Sequence, residues 1–246
     1  MSPHSAAPSP HAVIFDLFGT LVENLDPSRF VDATAAIAAV LELEADVFRQ
    51  EWSKTFVARM DGSLPDGDEQ FRPVVDALGH SVSNEQLVRA SDLRRDLMRE
   101  ALTPRPGAVE CLRELRARGL AIALASDCSS ETPSLLDETP LGEYLPVRAC
   151  SALLGARKPD PVVYRHALEG LGVAPADTLY VGDGNSEELP GASRLGMTTV
   201  WVDNRNTQYW KERFVPGGDH SVVRIDEVVA IVDRLRGAGA DSTRGG

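Results

Sequence analysis

The stretch HAVIFDLFGTLVE, His11 to Glu23, decides the reading of the fold. Four apolar residues, Ala12 to Phe15, run without interruption into Asp16, and Gly19-Thr20 turns the chain soon afterwards. A short continuous apolar run is what a strand buried on both faces requires, and this one ends on a carboxylate. Similar β-rich runs recur at Leu120–Ala125, Thr178–Val181 and Thr198–Val202, most of them followed by a helical stretch. Strands alternating with helices predict an α/β protein: a parallel sheet between two layers of helix.

The texture changes between Leu25 and Leu102. Four amphipathic helical segments follow one another there, near Pro27–Leu43, Ala45–Met60, Asp68–Leu78 and Asn84–Leu102. The breaks DGSLPDG and GHSVS carry turn chemistry. The α/β pattern resumes at Pro104–Gly107, where Pro106 suits the first turn of a helix over Gly107–Arg118 and Gly119 suits its end. The expected organisation is a core formed by residues 11–24 and 103–238, an all-helical insert over 25–102, a floppy leader at 1–10 and a flexible tail at 239–246.

Composition narrows the function. The chain has 246 residues, 43% of them hydrophobic, and no apolar run approaches the length of a membrane span. Lys plus Arg number 25 against 37 Asp plus Glu, a formal charge of −12. That field repels nucleic acid and anionic membrane, so neither is an expected partner. A small anionic substrate stays admissible if a metal or buried cation attracts it locally. Cys111, Cys128 and Cys150 are widely spaced, which argues against a disulfide framework or zinc cluster and fits a reducing cytoplasm. No sustained heptad pattern argues for a coiled coil, and the expected assembly is a monomer or homodimer.

Four loops of the α/β part each hold one reactive residue. They are Asp16, Ser126 in ALASDCSS, Lys158 in GARKPDP, and Asp183 in LYVGDGNSEELPGA. The carboxyl ends of strands in an open parallel sheet form a ligand crevice, where such loops converge. Taken singly, each has a plain structural reading: Asp or Ser caps a helix, Lys lies on the surface, and Asp after Gly turns the chain.

The four in this order resemble the haloacid dehalogenase superfamily of hydrolases. FDLFGTLV is similar to that family's first motif, Ser126 to its second, KPDP to its third, and VGDGNSEELPGA with the following LGM to its fourth. The resemblance implies a Rossmann-like core, a mobile helical cap of the C1 type and a covalent aspartyl intermediate. It makes Asp16 the nucleophile, Thr20 and Ser126 donors to the bound anion, and Lys158 the neutralising charge. Asp16, Asp183, the Phe18 carbonyl and either Glu188 or Glu187 would hold Mg2+, which favours hard oxygen ligands. Phe18, Gly19, Asp127, Lys54 and Tyr164 are the expected substrate-side residues. Trp52, Lys54 and Arg59 are candidates for specificity by type alone, with core packing an equal reading for Trp52.

Three departures bear on the reaction. Phe18 stands where the family's phosphatases carry a general acid, whose loss costs about 10²–10⁴ in rate, or roughly 3–5 kcal/mol of barrier. The acid after Asp183 is Glu, with Glu187 beside Glu188. Asp127 replaces the usual Asn and would repel phosphate unless paired or turned away. An aromatic at position 18 suits a leaving group that needs no proton, as in 2-haloacid dehalogenases, and Tyr164 also fits their pattern. Gly182-Asp183 and the following acid instead point to a metal. The metal indicator rests on two positions with a positive requirement, so the expected activity is a magnesium-dependent phosphatase on a small metabolite with a good leaving group. The alternatives are carbon–halogen hydrolysis, phosphonate cleavage through Lys54, and a homologue that binds without turnover.

Overall fold

The computed structural model describes residues 9–64, 67–204 and 213–242. The expected leader falls outside the described residues up to position 8, and the expected tail does so from 243 onward. Six strands form one parallel sheet: β1 (Ala12–Phe15), β2 (Ala121–Ser126), β3 (Val147–Cys150), β4 (Thr178–Gly182), β5 (Thr198–Val202) and β6 (His220–Val222). Their spatial order is β3-β2-β1-β4-β5-β6. This is the Rossmann order, and its direction reverses between β1 and β4. Ala12 sits between Ala121 and Thr178, and Phe15 between Leu124 and Val181, so the ends of β1 and β4 lie side by side. A crevice at that reversal receives whatever follows Phe15 and Gly182, which is Asp16 and Asp183.

Side-chain alternation along the strands divides the core in two. Val13, Phe15, Leu124, Leu179 and Val181 face a cluster completed by Cys111, Leu112 and Leu115 of α6 (Ala108–Ala117) and by Val228, Ile231 and Val232 of α11 (Val228–Ser242). Leu135 and Leu136 of α7 (Thr132–Leu136) join the same cluster. Ile14, Ala123, Ala125 and Tyr180 point to the other side. There they meet Val163, Tyr164, Ala167 and Leu168 of α9 (Pro161–Leu171) and Leu189 and Ala192 of α10 (Glu188–Arg194). The helix α9 begins where Asp160 Oδ1 accepts the Val162 N–H at 2.9 Å, with Pro161 in its first turn.

Residues 27–101 contain helices and no strand among those described: α1 (Pro27–Val40), α2 (Ala45–Lys54), α3 (Phe56–Met60), a 3₁₀ turn at Gly67–Phe71, α4 (Arg72–Ala77) and α5 (Asn84–Ala101). They bury an apolar cluster of their own, with Ile37, Leu41, Phe48, Trp52, Phe71, Val74 and Leu87. The helix α5 opens with a capping box between Ser83 and Gln86. Contact with the sheet domain comes through Arg94 to Glu131 at 3.1 Å, Arg99 to Glu138 at 2.9 Å, and the Ser151 hydroxyl donating to the Met60 carbonyl.

Several elements differ from the sequence reading. The predicted helix Ala45–Met60 is two helices broken at Thr55, whose hydroxyl turns back to the Trp52 carbonyl at 2.8 Å. The predicted helix Asp68–Leu78 starts as the 3₁₀ turn. The strands β3 and β6 were not anticipated, because neither VRAC nor HSV forms an apolar run. The helix α11 continues to Ser242, past the position where a tail was expected.

Trp52 belongs to the helical cluster and stacks on Phe71 at 5.0 Å between ring centroids. Trp52→Ala is expected to lower stability by about 3–5 kcal/mol in urea unfolding. A loss below about 1 kcal/mol would contradict a core role.

Candidate active site

The loops after β1 and β4, the start of α10 and the loop before α9 meet at the sheet's reversal point. Asp16, Asp183 and Glu188 are all buried, and one carboxylate oxygen from each lies within 4.8 Å of the others. Lys158 enters between them: its Nζ lies 2.6 Å from Asp16 Oδ1 and 2.6 Å from Glu188 Oε2. Thr20 donates to Asp16 Oδ2 at 3.1 Å. Tyr180 and the Gly184 N–H donate to the two oxygens of Glu188 at 2.9 and 3.0 Å. Asn185 holds Asp183 twice, by its N–H to Oδ1 at 3.0 Å and by Nδ2 to Oδ2 at 2.8 Å.

Close packing explains two glycines here. Gly19 has φ +79°, and a Cβ on it would collide with Asp183 Oδ2. A Cβ on Gly182 would collide with the Glu188 carboxylate. The turn after β4 is also tight: Ser186 and Glu187 both have positive φ, at 55° and 51°. That kink separates the two adjacent glutamates. Glu188 is driven inward, whereas Glu187 stays half-buried, with its N–H on the Arg213 carbonyl at 2.9 Å, and does not join the carboxylate trio.

Three carboxylates against one ammonium leave the cluster short of positive charge. Burial, and then the nearby Asp16, raise Asp183 to about 6 and Glu188 to about 8. Burial alone would lower Lys158, but Asp16 and Glu188 outweigh it and keep its pKa well above the ordinary lysine value. The donor set is all oxygen, and each of its carboxylates keeps lone pairs beyond the hydrogen bonds above. It therefore fits a hard divalent cation, which would relieve the repulsion.

The remaining predicted residues fall into distinct places. Ser126 is buried at the end of β2, the strand paired with β1, and its Oγ has no partner among the described residues. Asp127 is paired: Oδ1 accepts the Lys158 N–H at 2.9 Å, and Oδ2 lies 3.6 Å from Arg157 Nε. Tyr164 is buried and donates to the Glu188 carbonyl at 2.9 Å, so it holds the start of α10 in place. Phe18 packs against the apolar cluster of the first sheet face. Lys54 is not in the group. It lies on the surface of α2, its side chain 68% exposed and paired with Glu51.

Other residues serve the site without having announced it in the sequence. Arg105 NH1 binds the Gly19 carbonyl at 3.1 Å and Asn204 Oδ1 at 2.9 Å, while Asn204 Nδ2 binds the same Gly19 carbonyl. Together they clamp the loop that carries Thr20. Trp201 Nε1 donates to the Asp183 carbonyl at 3.0 Å. Tyr180 reads as a core residue of β4 by alternation, and only the fold shows its hydroxyl on Glu188.

Proteins similar to this chain include some named as phosphatases and others named as 2-haloacid dehalogenases. The chain is 30% identical over 233 aligned positions to a phosphoserine phosphatase of Thermus thermophilus, covering 78% of this chain and 88% of that one. It is 27% identical over 233 positions to (S)-2-haloacid dehalogenase 1 of a Pseudomonas species, covering 91% and 97%. Among solved structures, a defluorinating L-2-haloacid dehalogenase superposes with a TM-score of 0.64 at 22% identity, covering 93% of this chain and 99% of the other. Residues 10–196 match the family profile described as haloacid dehalogenase-like hydrolase. The stretch matched holds Asp16, Lys158, Asp183 and Glu188 together, and the chain belongs to the haloacid dehalogenase-like hydrolases.

Proposed function

We propose that the protein is a magnesium-dependent phosphatase acting on a small phosphorylated metabolite, with Asp16 as nucleophile. One observation carries this reading: a buried trio of carboxylates, Asp16, Asp183 and Glu188, is balanced by the single ammonium of Lys158. A carbon–halogen hydrolase needs no such surplus of negative charge. Mg2+ held by Asp16, Asp183 and Glu188 would supply electrostatic compensation that lets an anionic nucleophile approach an anionic phosphoryl group. The phosphatase names among the relatives support the same choice.

The residues divide the work. An Asp16 oxygen attacks phosphorus, the bond from phosphorus to the ester oxygen breaks, and water then hydrolyses the aspartyl phosphate to return Asp16. Lys158 offsets charge on Asp16 and on the incoming phosphoryl oxygens. Ser126, with a buried hydroxyl that has no partner among the described residues, donates to a phosphoryl oxygen. Thr20 fixes the orientation of the Asp16 carboxylate. The helices of residues 27–101 act as a cap that excludes water during attack. Phe18 cannot give a proton, so substrates whose leaving oxygen is already stable are favoured. The three cysteines are free and buried, in keeping with a cytoplasmic setting.

A second reading, 2-haloacid hydrolysis, is favoured by Phe18 alone. Halide leaves without a proton, and relatives with that activity are present at 27% identity. Phosphonate cleavage through an imine is disfavoured, because Lys54 faces solvent.

Incubation with a panel of phosphate esters and 2-haloacids separates these readings. Phosphate release that requires magnesium and stops with chelator is expected. Chelator-resistant halide release would overturn the phosphatase reading, and no turnover from either series would favour a binding role. A second measurement concerns pH. Asp183 and Glu188 have folded-state pKa values raised to about 6 and about 8, so the metal-free folded state binds more protons than the unfolded chain between these values and the ordinary carboxylate range. Its stability therefore falls as pH rises through that window. Metal binding requires the unprotonated forms, so stabilisation by magnesium should grow over the same window. Millimolar magnesium is expected to raise Tm by several degrees at about pH 8, about 2.7 kcal/mol at a hundredfold excess over Kd, and by much less at about pH 5.5. A shift independent of pH would contradict the assigned ligands. Finally, Phe18→Asp should raise kcat/KM for alkyl phosphates relative to aryl phosphates by about 10-fold or more; an unchanged ratio would remove the leaving-group argument.

A further inference from the structure

The helical region is joined to the sheet domain by two short crossings, residues 23–26 on the way out and 102–107 on the way back. They lie side by side where they pass the loop after β1. Val22 and Pro104 form an antiparallel bridge, and the Arg105 N–H donates to the Leu21 carbonyl at 3.0 Å. Arg105 thus stands on the returning crossing, directly against the start of the outgoing one.

The Arg105 side chain is only 11% exposed, and its nitrogens reach both the crossings and the loop. Its Nε lies 3.5 Å from Glu23 Oε1, an ion pair that spans the two crossings. Its NH1 donates to the Gly19 carbonyl at 3.1 Å and approaches the Thr20 carbonyl at 3.3 Å and Asn204 Oδ1 at 2.9 Å. Asn204, just past β5, donates its Nδ2 to the same Gly19 carbonyl. A carbonyl oxygen has two lone pairs, and two donors hold this one. On their other side Gly19 and Thr20 meet the acidic cluster. The Thr20 hydroxyl rests on Asp16 Oδ2 at 3.1 Å, and the Gly19 main chain packs too close to Asp183 to admit a Cβ. A displacement of this turn therefore reaches Asp16 and Asp183 together.

We propose that Arg105 is a positioning residue that fixes the nucleophile loop to the two crossings, so that the geometry of Asp16 and Asp183 depends on how the helical region is held; its effect on turnover rests on the phosphatase reading above. The guanidinium is rigid and planar, and it sets several oxygens in one fixed relation, which a flexible ammonium does not. Losing it leaves buried carbonyls short of a donor, at a cost larger than one surface bond. The pair with Glu23 gives the same guanidinium a hold on the outgoing crossing. A swing of the helical region turns both crossings, and Arg105 carries that turn to Gly19 and so to the carboxylates. Closure and the ordering of the metal ligands are then one event.

Three measurements on the full chain test this: calorimetric titration with magnesium chloride, amide hydrogen exchange without metal, and turnover of 4-nitrophenyl phosphate. Arg105→Met keeps the bulk and loses every side-chain donor. It is expected to weaken magnesium binding about 10-fold or more, the usual effect of removing a group that orients metal ligands. It should lower kcat by about 10- to 100-fold and leave KM nearly unchanged, because the side chain holds the loop and not the substrate. Exchange should quicken together at residues 19–24 and 102–105. Arg105→Lys, which keeps the charge beside Glu23 and loses the planar fork, should recover part of each loss, and it carries the test if the Met variant does not fold. Glu23→Gln, which cuts the ion pair and leaves the carbonyl clamp, should quicken exchange at the crossings alone. A lowered Tm with magnesium affinity and kcat unchanged in both arginine variants would make Arg105 a merely structural residue and overturn the proposal. Faster exchange confined to one crossing in those variants would overturn it too. Failure of the phosphatase reading shows separately, as no magnesium-dependent phosphate release by the unsubstituted protein across the ester panel; the exchange measurement does not depend on turnover.

Discussion

A single buried ammonium lets this site exist. Lys158 spans Asp16 and Glu188 at 2.6 Å each, in a place where three carboxylates converge. Buried charges of one sign are costly unless paired and hydrogen bonded. The fold supplies both conditions by bringing the ends of β1 and β4 together at the reversal of the sheet, with Lys158 arriving on the loop before α9. The surrounding donors, Tyr180, Gly184, Asn185 and Thr20, fix the carboxylates but do not cancel their charge. What remains is an electrostatic demand for a cation, and that demand is the strongest physical argument about the reaction.

The same geometry gives Asp127 a partner of its own beside the acidic cluster. An unpaired acid there would repel an anionic substrate. Asp127 accepts the Lys158 backbone N–H and lies near Arg157, so it holds the lysine loop in place. Tyr164 has a similar structural duty at the start of α10. Residues chosen for chemistry by their type can thus be the struts that keep the buried charges in register.

How much of this was legible beforehand follows from the kind of signal each residue leaves. The strand at Ala12–Phe15 and the helices of residues 27–101 were readable because apolar periodicity is written locally. The strands β3 and β6 were not, since VRAC and HSV are short and interrupted by polar residues. Asp16, Lys158 and Asp183 could be named from motif order. The choice between Glu187 and Glu188 could not be made, because it depends on two residues with positive φ that turn one glutamate inward. Arg105, Asn204, Arg94 and Glu131 act through partners 35 to 185 positions away in the chain, or pair across the two regions, and no local pattern marks such residues.

The indole of Trp201, tied to the carbonyl of Asp183, has an optical consequence. An intrinsic chromophore is fastened to the backbone of the acidic cluster by one hydrogen bond. Any event that shifts that carbonyl also changes the polarity felt by the ring, so the molecule carries its own emission probe beside the acidic cluster, with no label to attach.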